Sequence, residues 1–188
     1  MIKEQVREYK KELVLQKASE YLEKEGLAKA KMADIAKYCG ISVGALYKLF
    51  ASKEELFYEY VRYQIKLFDA KLEELFATID TPQERIKVYL KLKFTTFAQK
   101  RSILTDTLAG DPLFFAKLAA NKENPTRIVI ERISKELARM GLRDPLKKAY
   151  ILTYIAYGYI EYWLLSGEDL EKFAEETYEL FMRGARYV

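Results

Sequence analysis

The chain has 188 residues, of which half are apolar, with a formal net charge of +4 at pH 7, one cysteine and no histidine. The lack of histidine excludes serine–histidine and cysteine–histidine catalysis, and we predict no metal site and no cofactor. No apolar run reaches the roughly 18 residues of a membrane helix, and the N-terminus is charged where a secretory signal is apolar, so the sequence predicts a cytoplasmic protein without a membrane partner.

The positive charge is concentrated at the N-terminal end. Residues 1–53 hold eleven Lys or Arg against seven Asp or Glu, whereas residues 54–188 hold 21 of each sign. Because neutralisation of phosphates supplies most of the non-specific affinity for DNA, this asymmetry is typical of a basic DNA-binding domain followed by a domain without net charge.

Apolar residues recur at helical spacing along nearly the whole chain, and no segment alternates like a strand, which predicts an all-α fold of about nine helices. The first helix is predicted from about Lys3 to Glu25, and Gly26 follows it as a left-handed C-cap. Its buried stripe is predicted to consist of Val6, Tyr9, Leu13, Ala18 and Leu22.

Two short helices come next. One begins at Met32 and the other covers residues 43–50, and the tight turn Gly40-Ile41-Ser42 joins them. Ser42 is predicted to cap the second of the pair, because its hydroxyl can accept from the free backbone donors of the first turn.

A capping box formed by Ser52 and Glu55 opens a long fourth helix through about Ile79. The remaining helices are predicted over residues 82–100, 112–120, 125–140, 145–166 and 168–186, with Pro or Gly at the breaks. The single cysteine, Cys39, is predicted to be a small buried residue rather than a redox switch.

One stretch carries a recognisable pattern: Ile35-Ala36, Gly40-Ile41-Ser42, Gly44-Ala45-Leu46-Tyr47, Phe50 and Ser52-Lys53-Glu54-Glu55-Leu56. It resembles the signature of the TetR/AcrR family of transcriptional regulators over about residues 10–60. The resemblance implies an N-terminal three-helix domain with a DNA-binding helix-turn-helix, which we place at residues 1–51. It also implies a larger helical-bundle domain that binds an effector and dimerises, at residues 52–188.

The apolar residues of this pattern are predicted to form a small core, consisting of Ile35, Ile41, Leu46 and Phe50. Ala36 and Gly40 are small enough to let the two helices approach. The positions predicted to face DNA are Lys31, Ser42, Val43, Gly44, Ala45, Tyr47, Lys48 and Lys53. The resemblance implies phosphate contacts for Tyr47 and Lys53.

Base contacts are assigned to the other outward positions. Val43 and Ala45 suit thymine methyl groups, and Lys48 suits guanine acceptors. Two positions depart from the family pattern: Ala30-Lys31 replaces a Ser or Thr cap, so Lys31 is expected to act through its charge, and Leu49 replaces an aromatic residue or histidine. The operator sequence therefore cannot be taken from the family.

The penultimate helix is apolar nearly all round, with six aromatic residues, Tyr150, Tyr154, Tyr157, Tyr159, Tyr162 and Trp163. Such a helix needs cover on more than one face, and the resemblance implies a homodimer interface through about residues 145–186. Alternatively, some rings line an effector cavity, for which we predict Phe94, Phe97, Phe114, Tyr154 and Glu161. Glu161 suits a cationic ligand, whereas Lys93 suits an acidic head group, and the sequence leaves both open.

Together these features predict a homodimeric, ligand-responsive regulator whose recognition helices enter major grooves about 34–36 Å apart on a pseudo-palindromic DNA operator. A small apolar or amphipathic effector releases it. Repression is our working hypothesis, since the residues do not distinguish it from activation. The alternative is a helical ligand-binding carrier protein without DNA binding; an enzyme is disfavoured because catalytic motifs are lacking.

Overall fold

The computed structural model describes residues 2–101, 103, 105 and 124–185, and within them it contains eight α-helices and no strand. This confirms the predicted all-α class. The helices are α1 Ile2–Glu25, α2 Met32–Cys39, α3 Val43–Leu49, α4 Lys53–Phe76, α5 Pro82–Gln99, α6 Arg127–Arg139, α7 Pro145–Ser166 and α8 Phe173–Ala185, with a 3-10 turn at Leu170–Lys172. The predicted helix at 112–120, including Phe114, lies outside the described residues.

The chain divides into two compact units. The described residues of the first unit are 2–66, 103 and 105, which comprise α1, α2, α3 and the first part of α4. Those of the second are 67–101 and 124–185, which comprise the end of α4 and α5 to α8. In the described part of the chain, no helix has the length and apolarity that a membrane crossing requires.

The first unit is built around a small apolar core. Its fully buried large side chains are Leu22, Ile35, Leu46, Phe50 and Leu56. The predicted core is thus confirmed for Ile35, Leu46 and Phe50, while Ile41 is only partly buried at its edge. Each such side chain contributes about 1.5–3 kcal/mol when it leaves water.

The apolar stripe predicted for α1 is wrong in its N-terminal half. Val6, Tyr9 and Leu13 are exposed. The buried residues of this helix are Leu15, Ala18, Ser19 and Leu22. This helix of 24 residues is about 36 Å long, and its described side-chain contacts with α2 and α4 lie between Lys11 and Glu23, so its first turns are not covered.

Two helix boundaries differ from the prediction by three residues or more. Helix α4 ends at Phe76 rather than near Ile79, because tighter backbone bonds follow it, from the Thr78 N–H to the Leu75 carbonyl at 3.2 Å and from the Ile79 N–H to the Phe76 carbonyl at 3.4 Å. The Thr78 hydroxyl donates to the Leu75 carbonyl at 2.9 Å, and Arg85 Nε donates to the Ile79 carbonyl at 2.9 Å. The last helix begins at Phe173 rather than at residue 168, because the 3-10 turn precedes it. The Asp169 carboxylate caps this turn by accepting from the Glu171 N–H.

Buried ion pairs join the helices of the second unit. Arg132 on α6 donates to both carboxylate oxygens of Asp69 on α4, at 2.7 and 2.8 Å. The buried Glu136 carboxylate accepts from Arg85 at 3.2 Å and from Arg139 at 2.6 Å. These contacts give each of the two buried carboxylates the counter-charge that a buried acid requires.

Candidate nucleic-acid interface

The turn between α2 and α3 is set by one glycine. Gly40 has φ 72° and ψ 28°, in the left-handed region, and the Ile41 N–H donates back to the Ala36 carbonyl at 3.0 Å. This is a Schellman ending of α2. A Cβ at Gly40 would meet no atom within 4 Å, so Gly40 is needed for its backbone angle and not, as the sequence suggested, to let the helices approach.

We expect Gly40→Ala to lower the free energy of unfolding by about 1–2 kcal/mol, because an L side chain is strained at positive φ. Gly44 is the matched control: it lies inside α3, and a Cβ there also meets nothing within 4 Å. Gly44→Ala should therefore raise stability by about 0.5–1 kcal/mol. Urea unfolding measures both, and shifts of the same sign would contradict this assignment.

Helix α3 starts at the cap that the sequence predicted. Ser42 Oγ accepts from the Ala45 N–H at 3.1 Å. Leu46 and, just past the helix, Phe50 are fully buried and fix the inner face of α3. The opposite face of α3 therefore faces solvent.

The predicted DNA-facing residues of α3 differ in exposure. Val43 and Tyr47 are 41% and 49% exposed although both are large and apolar in body. Ser42, Gly44 and Lys48 are also exposed, whereas Ala45 is half-buried. Leu49 packs against the core of the first unit, which explains why an apolar residue stands there.

The two remaining lysines of this surface lie at helix beginnings. Lys31 occupies the N-cap of α2, is exposed and forms no side-chain cap, as expected from the missing Ser or Thr. Lys53 is the first residue of α4 and is half-buried. Free backbone N–H groups at such positions favour anions.

The capping motif before α4 is present with one change. Ser52 Oγ accepts from the Glu55 N–H at 3.1 Å, as predicted, but the Glu55 carboxylate accepts from the Ala51 N–H at 2.7 Å instead of from Ser52. The Glu54 carboxylate forms hydrogen bonds with its own backbone N–H and with the Ser52 side chain, and these bonds lower the pKa of the Glu54 carboxyl. The beginning of α4 is thus well ordered by its own side chains.

Cys39 matches its prediction as a buried structural residue. It is 7% exposed, and its Sγ lies 3.7 Å from the Val14 carbonyl oxygen. Burial raises the pKa of the thiol, which keeps it protonated and unreactive near neutral pH.

In the second unit, several predicted effector residues meet around one tyrosine. Phe97 and Tyr154 both contact the Tyr157 ring, with centroids 6.0 and 6.1 Å apart. Phe94 is fully buried, Tyr154 is 55% exposed and Glu161 is exposed. The structure therefore brings Phe97 and Tyr154 together at the Tyr157 ring.

Lys93 on α5 lies at the centre of these rings. It is 6% exposed, and its Nζ lies 3.9 Å from the Tyr157 ring centroid, 5.4 Å from that of Phe97 and 5.9 Å from that of Tyr89. Burial lowers the pKa of the amine from its ordinary value of 10.5 to about 7. Burial also raises the pKa of both tyrosines, that of Tyr89 to about 12, so neither ring offers a phenolate.

Tyr89 and Tyr157 were not among the predicted site residues. A signal for Tyr89 existed, because residues 89, 93 and 97 are spaced by four and share one face of α5. Tyr157 comes from α7, and only the tertiary packing of α5 and α7 brings it to the lysine.

Comparison with known proteins agrees with this helix-turn-helix. Residues 14–60 match the family model for bacterial regulatory proteins of the tetR family. The nucleoid occlusion factor SlmA of Vibrio cholerae is 30% identical over 138 residues, 72% of this chain and 67% of the relative. SlmA of Aliivibrio fischeri is 29% identical over 130 residues, 68% of this chain and 64% of the relative. These matches span about two thirds of each relative.

Solved structures share the whole fold. The fatty acid degradation regulator FadR from Bacillus halodurans has a TM-score of 0.70 at 15% identity, covering 92% of this chain and 98% of that one. FadR from Bacillus subtilis, in complex with stearoyl-CoA, has a TM-score of 0.67 at 18% identity, covering 92% and 97%. The fold and the exposed recognition helix define a DNA-binding regulator. The chain belongs to the TetR family of bacterial regulatory proteins.

Proposed function

We propose that this protein is a transcriptional repressor that binds a pseudo-palindromic operator as a homodimer and is released by a small apolar or amphipathic effector. Residues 1–51 form its DNA-binding domain, and residues 52–188 bind the effector and dimerise. The observation that carries the proposal is the solvent-facing side of α3, where Val43, Tyr47 and Lys48 are exposed. The opposite side is fixed by the fully buried Leu46 and by Phe50 just past the helix. An exposed helix of this kind fits the major groove.

The contacts divide into positioning and reading groups. The Tyr47 hydroxyl and the Lys53 ammonium group bind phosphates, with Lys31 adding charge at the start of α2. Lys48 and Val43 reach base edges. The Ser42 oxygen accepts from its own helix, so its hydroxyl hydrogen remains able to donate to DNA.

Exposed apolar side chains on the last two helices support dimerisation through residues 145–186. They include Ile151, Tyr162, Leu165 and Leu180, each at least 44% exposed in the single chain. A second copy that covers these side chains removes them from water, and an isologous interface uses the same face on both subunits.

An effector response is supported by the aromatic group around Tyr157 and by the stearoyl-CoA bound to a structural neighbour. To release DNA, the effector must bind the non-DNA-binding form more tightly, and DNA must then weaken effector binding equally. Helix α4 contributes residues to both units and is the proposed route of coupling.

A second candidate function follows from the relatives at 29–30% identity, which are nucleoid occlusion factors. In that case DNA binding serves the nucleoid rather than a promoter. Chromatin immunoprecipitation distinguishes the two, since a promoter-specific repressor occupies few sites and a nucleoid factor occupies sites across the chromosome.

DNA binding is tested by fluorescence anisotropy with the chain's own promoter region at several salt concentrations. Lys53→Ala should weaken binding and reduce the slope of log K against log salt by about one, because one phosphate contact is lost. Tyr47→Phe should weaken binding up to about tenfold without changing the slope, because it removes an uncharged donor.

The exposed Lys135 on α6 provides the control, and Lys135→Ala should change neither affinity nor slope. Unchanged binding by both the Tyr47 and the Lys53 variant would show that the phosphate contacts are assigned wrongly. A wild-type chain that binds no DNA from its promoter region would favour the carrier-protein alternative.

A further inference from the structure

Lys93 has an environment that a structural lysine rarely has. Within the described residues, no carboxylate and no hydrogen-bond acceptor contacts its Nζ; its contacts are the three aromatic rings of Tyr89, Phe97 and Tyr157. Of the other buried charged residues described in the second unit, Asp69 and Glu136 form ion pairs, and Lys148 also has a partner. An ammonium group taken out of water without a counter-charge is strongly disfavoured.

The rings compensate for only part of this cost. A cation over an aromatic face is attracted to it, and the Tyr157 ring at 3.9 Å is well placed for that. Cation–π attraction is nevertheless weaker than an ion pair in the same low-dielectric surroundings. Burial lowers the pKa of Lys93, and an anion bound at Nζ would favour the charged amine.

Edge-to-face ring contacts link the surroundings of Lys93 to an exposed tyrosine. Tyr157, which contacts Lys93, also contacts Tyr154, and Tyr154 is 55% exposed. The Phe97 ring also lies near the same lysine, 5.4 Å from its Nζ, and is half-buried. These rings form an apolar surface beside Nζ, which suits the apolar body of an amphipathic molecule whose polar end lies at Nζ.

We propose that Lys93 binds the carboxylate of an organic acid whose apolar body packs against Phe97 and Tyr157. This inference rests on the proposed effector response and narrows it to an anionic effector class. A cationic effector paired with Glu161 is the less favoured choice, because Glu161 is exposed. An exposed carboxylate gains little from pairing.

Isothermal titration calorimetry of the purified chain without DNA tests this directly, with decanoate, laurate and benzoate as probes and 1-decanol as the uncharged analogue. We expect at least one of the three acids to bind the wild type more tightly than 1-decanol does. Lys93→Met should weaken its binding by about 10- to 100-fold and leave the alcohol unaffected, because only the acid makes a charge-assisted bond to Nζ.

Lys91→Met is the matched control, since Lys91 lies two residues away on α5 and is exposed. It should bind the acid as the wild type does. Circular dichroism of each variant verifies that the helical content is unchanged, and retained binding of 1-decanol verifies that the apolar part of the site is intact.

Proton uptake gives a second readout that a purely structural lysine would not affect. At about pH 8 the free amine is largely neutral, so a bound carboxylate should draw up to one proton onto Lys93. Titrations in buffers of different ionisation enthalpy should show this uptake in the wild type and none in Lys93→Met.

Equal acid binding by wild type and Lys93→Met overturns the proposal, as does a wild type that binds none of the three acids. The two proposals fail separately. Calorimetry needs no operator, so loss of the DNA-binding hypothesis leaves this result valid, whereas a chain that binds DNA but no acid keeps the proposed regulator and loses only its anionic effector.

Discussion

Arg132→Met is expected to lower the free energy of unfolding by about 3–5 kcal/mol, because it leaves the carboxylate of Asp69 buried without a counter-charge. Asp69 is 5% exposed, and Arg132 donates to both of its oxygens at 2.7 and 2.8 Å. Arg132 also reaches Glu73 at 3.3 Å, but Glu73 is exposed and contributes little. Urea unfolding followed by circular dichroism measures the loss.

Two further variants isolate the buried charge as the cause. The double variant Arg132→Met with Asp69→Leu should recover much of the lost stability, since apolar pairs replace buried ion pairs at little cost. Arg127→Met removes another arginine of α6 from a fully exposed pair with Glu131 and should leave stability unchanged. Equal losses in the two single arginine variants would contradict the role of burial.

The sequence predicts the helix beginnings of this protein well because their causes are local. The caps at Ser42 and Ser52 each need only a hydroxyl and an N–H three residues later, and both bonds form. Gly26 and Gly40 both adopt the positive φ that ends a helix. Such signals depend on neighbours along the chain, which the sequence supplies.

The buried face of α1 depends on information that is not local. Val6 and Leu15 are both apolar, but only Leu15 is buried. The difference arises from where the partners α2 and α4 lie along α1. Helical periodicity indicates which residues share a face and not how much of that face is covered.

The candidate effector site shows the same limit. The spacing of Tyr89, Lys93 and Phe97 predicts that they share one face of α5. It does not predict the contact of Lys93 with Tyr157, which comes from α7. Lys93 and Glu161 are both charges on apolar helices, and the sequence could not choose between them. Burial distinguishes them, because only Lys93 is enclosed.

The same enclosure makes stability depend on pH in a defined direction. The pKa of Lys93 is about 7 in the folded chain and near its ordinary 10.5 when unfolded. Between these values the unfolded chain binds the extra proton, so stability rises with pH by up to about 1.4 kcal/mol per unit. Below about pH 7 both states are protonated, and the full penalty is present.

Lys93→Met is therefore expected to raise the free energy of unfolding by several kcal/mol at neutral pH, and by progressively less towards about pH 10. The difference between wild type and variant is the quantity to measure, by urea unfolding at a series of pH values. This difference cancels the opposite effect of tyrosines such as Tyr89. Burial raises the pKa of Tyr89 above the value of 10 that it has in the unfolded chain, so the folded chain loses stability as the pH rises above 10. Lys91→Met, on the exposed side of α5, should show no such pH dependence. A difference that stays constant from about pH 7 to 10 would mean that the folded chain keeps the proton on Lys93, held by the surrounding rings alone.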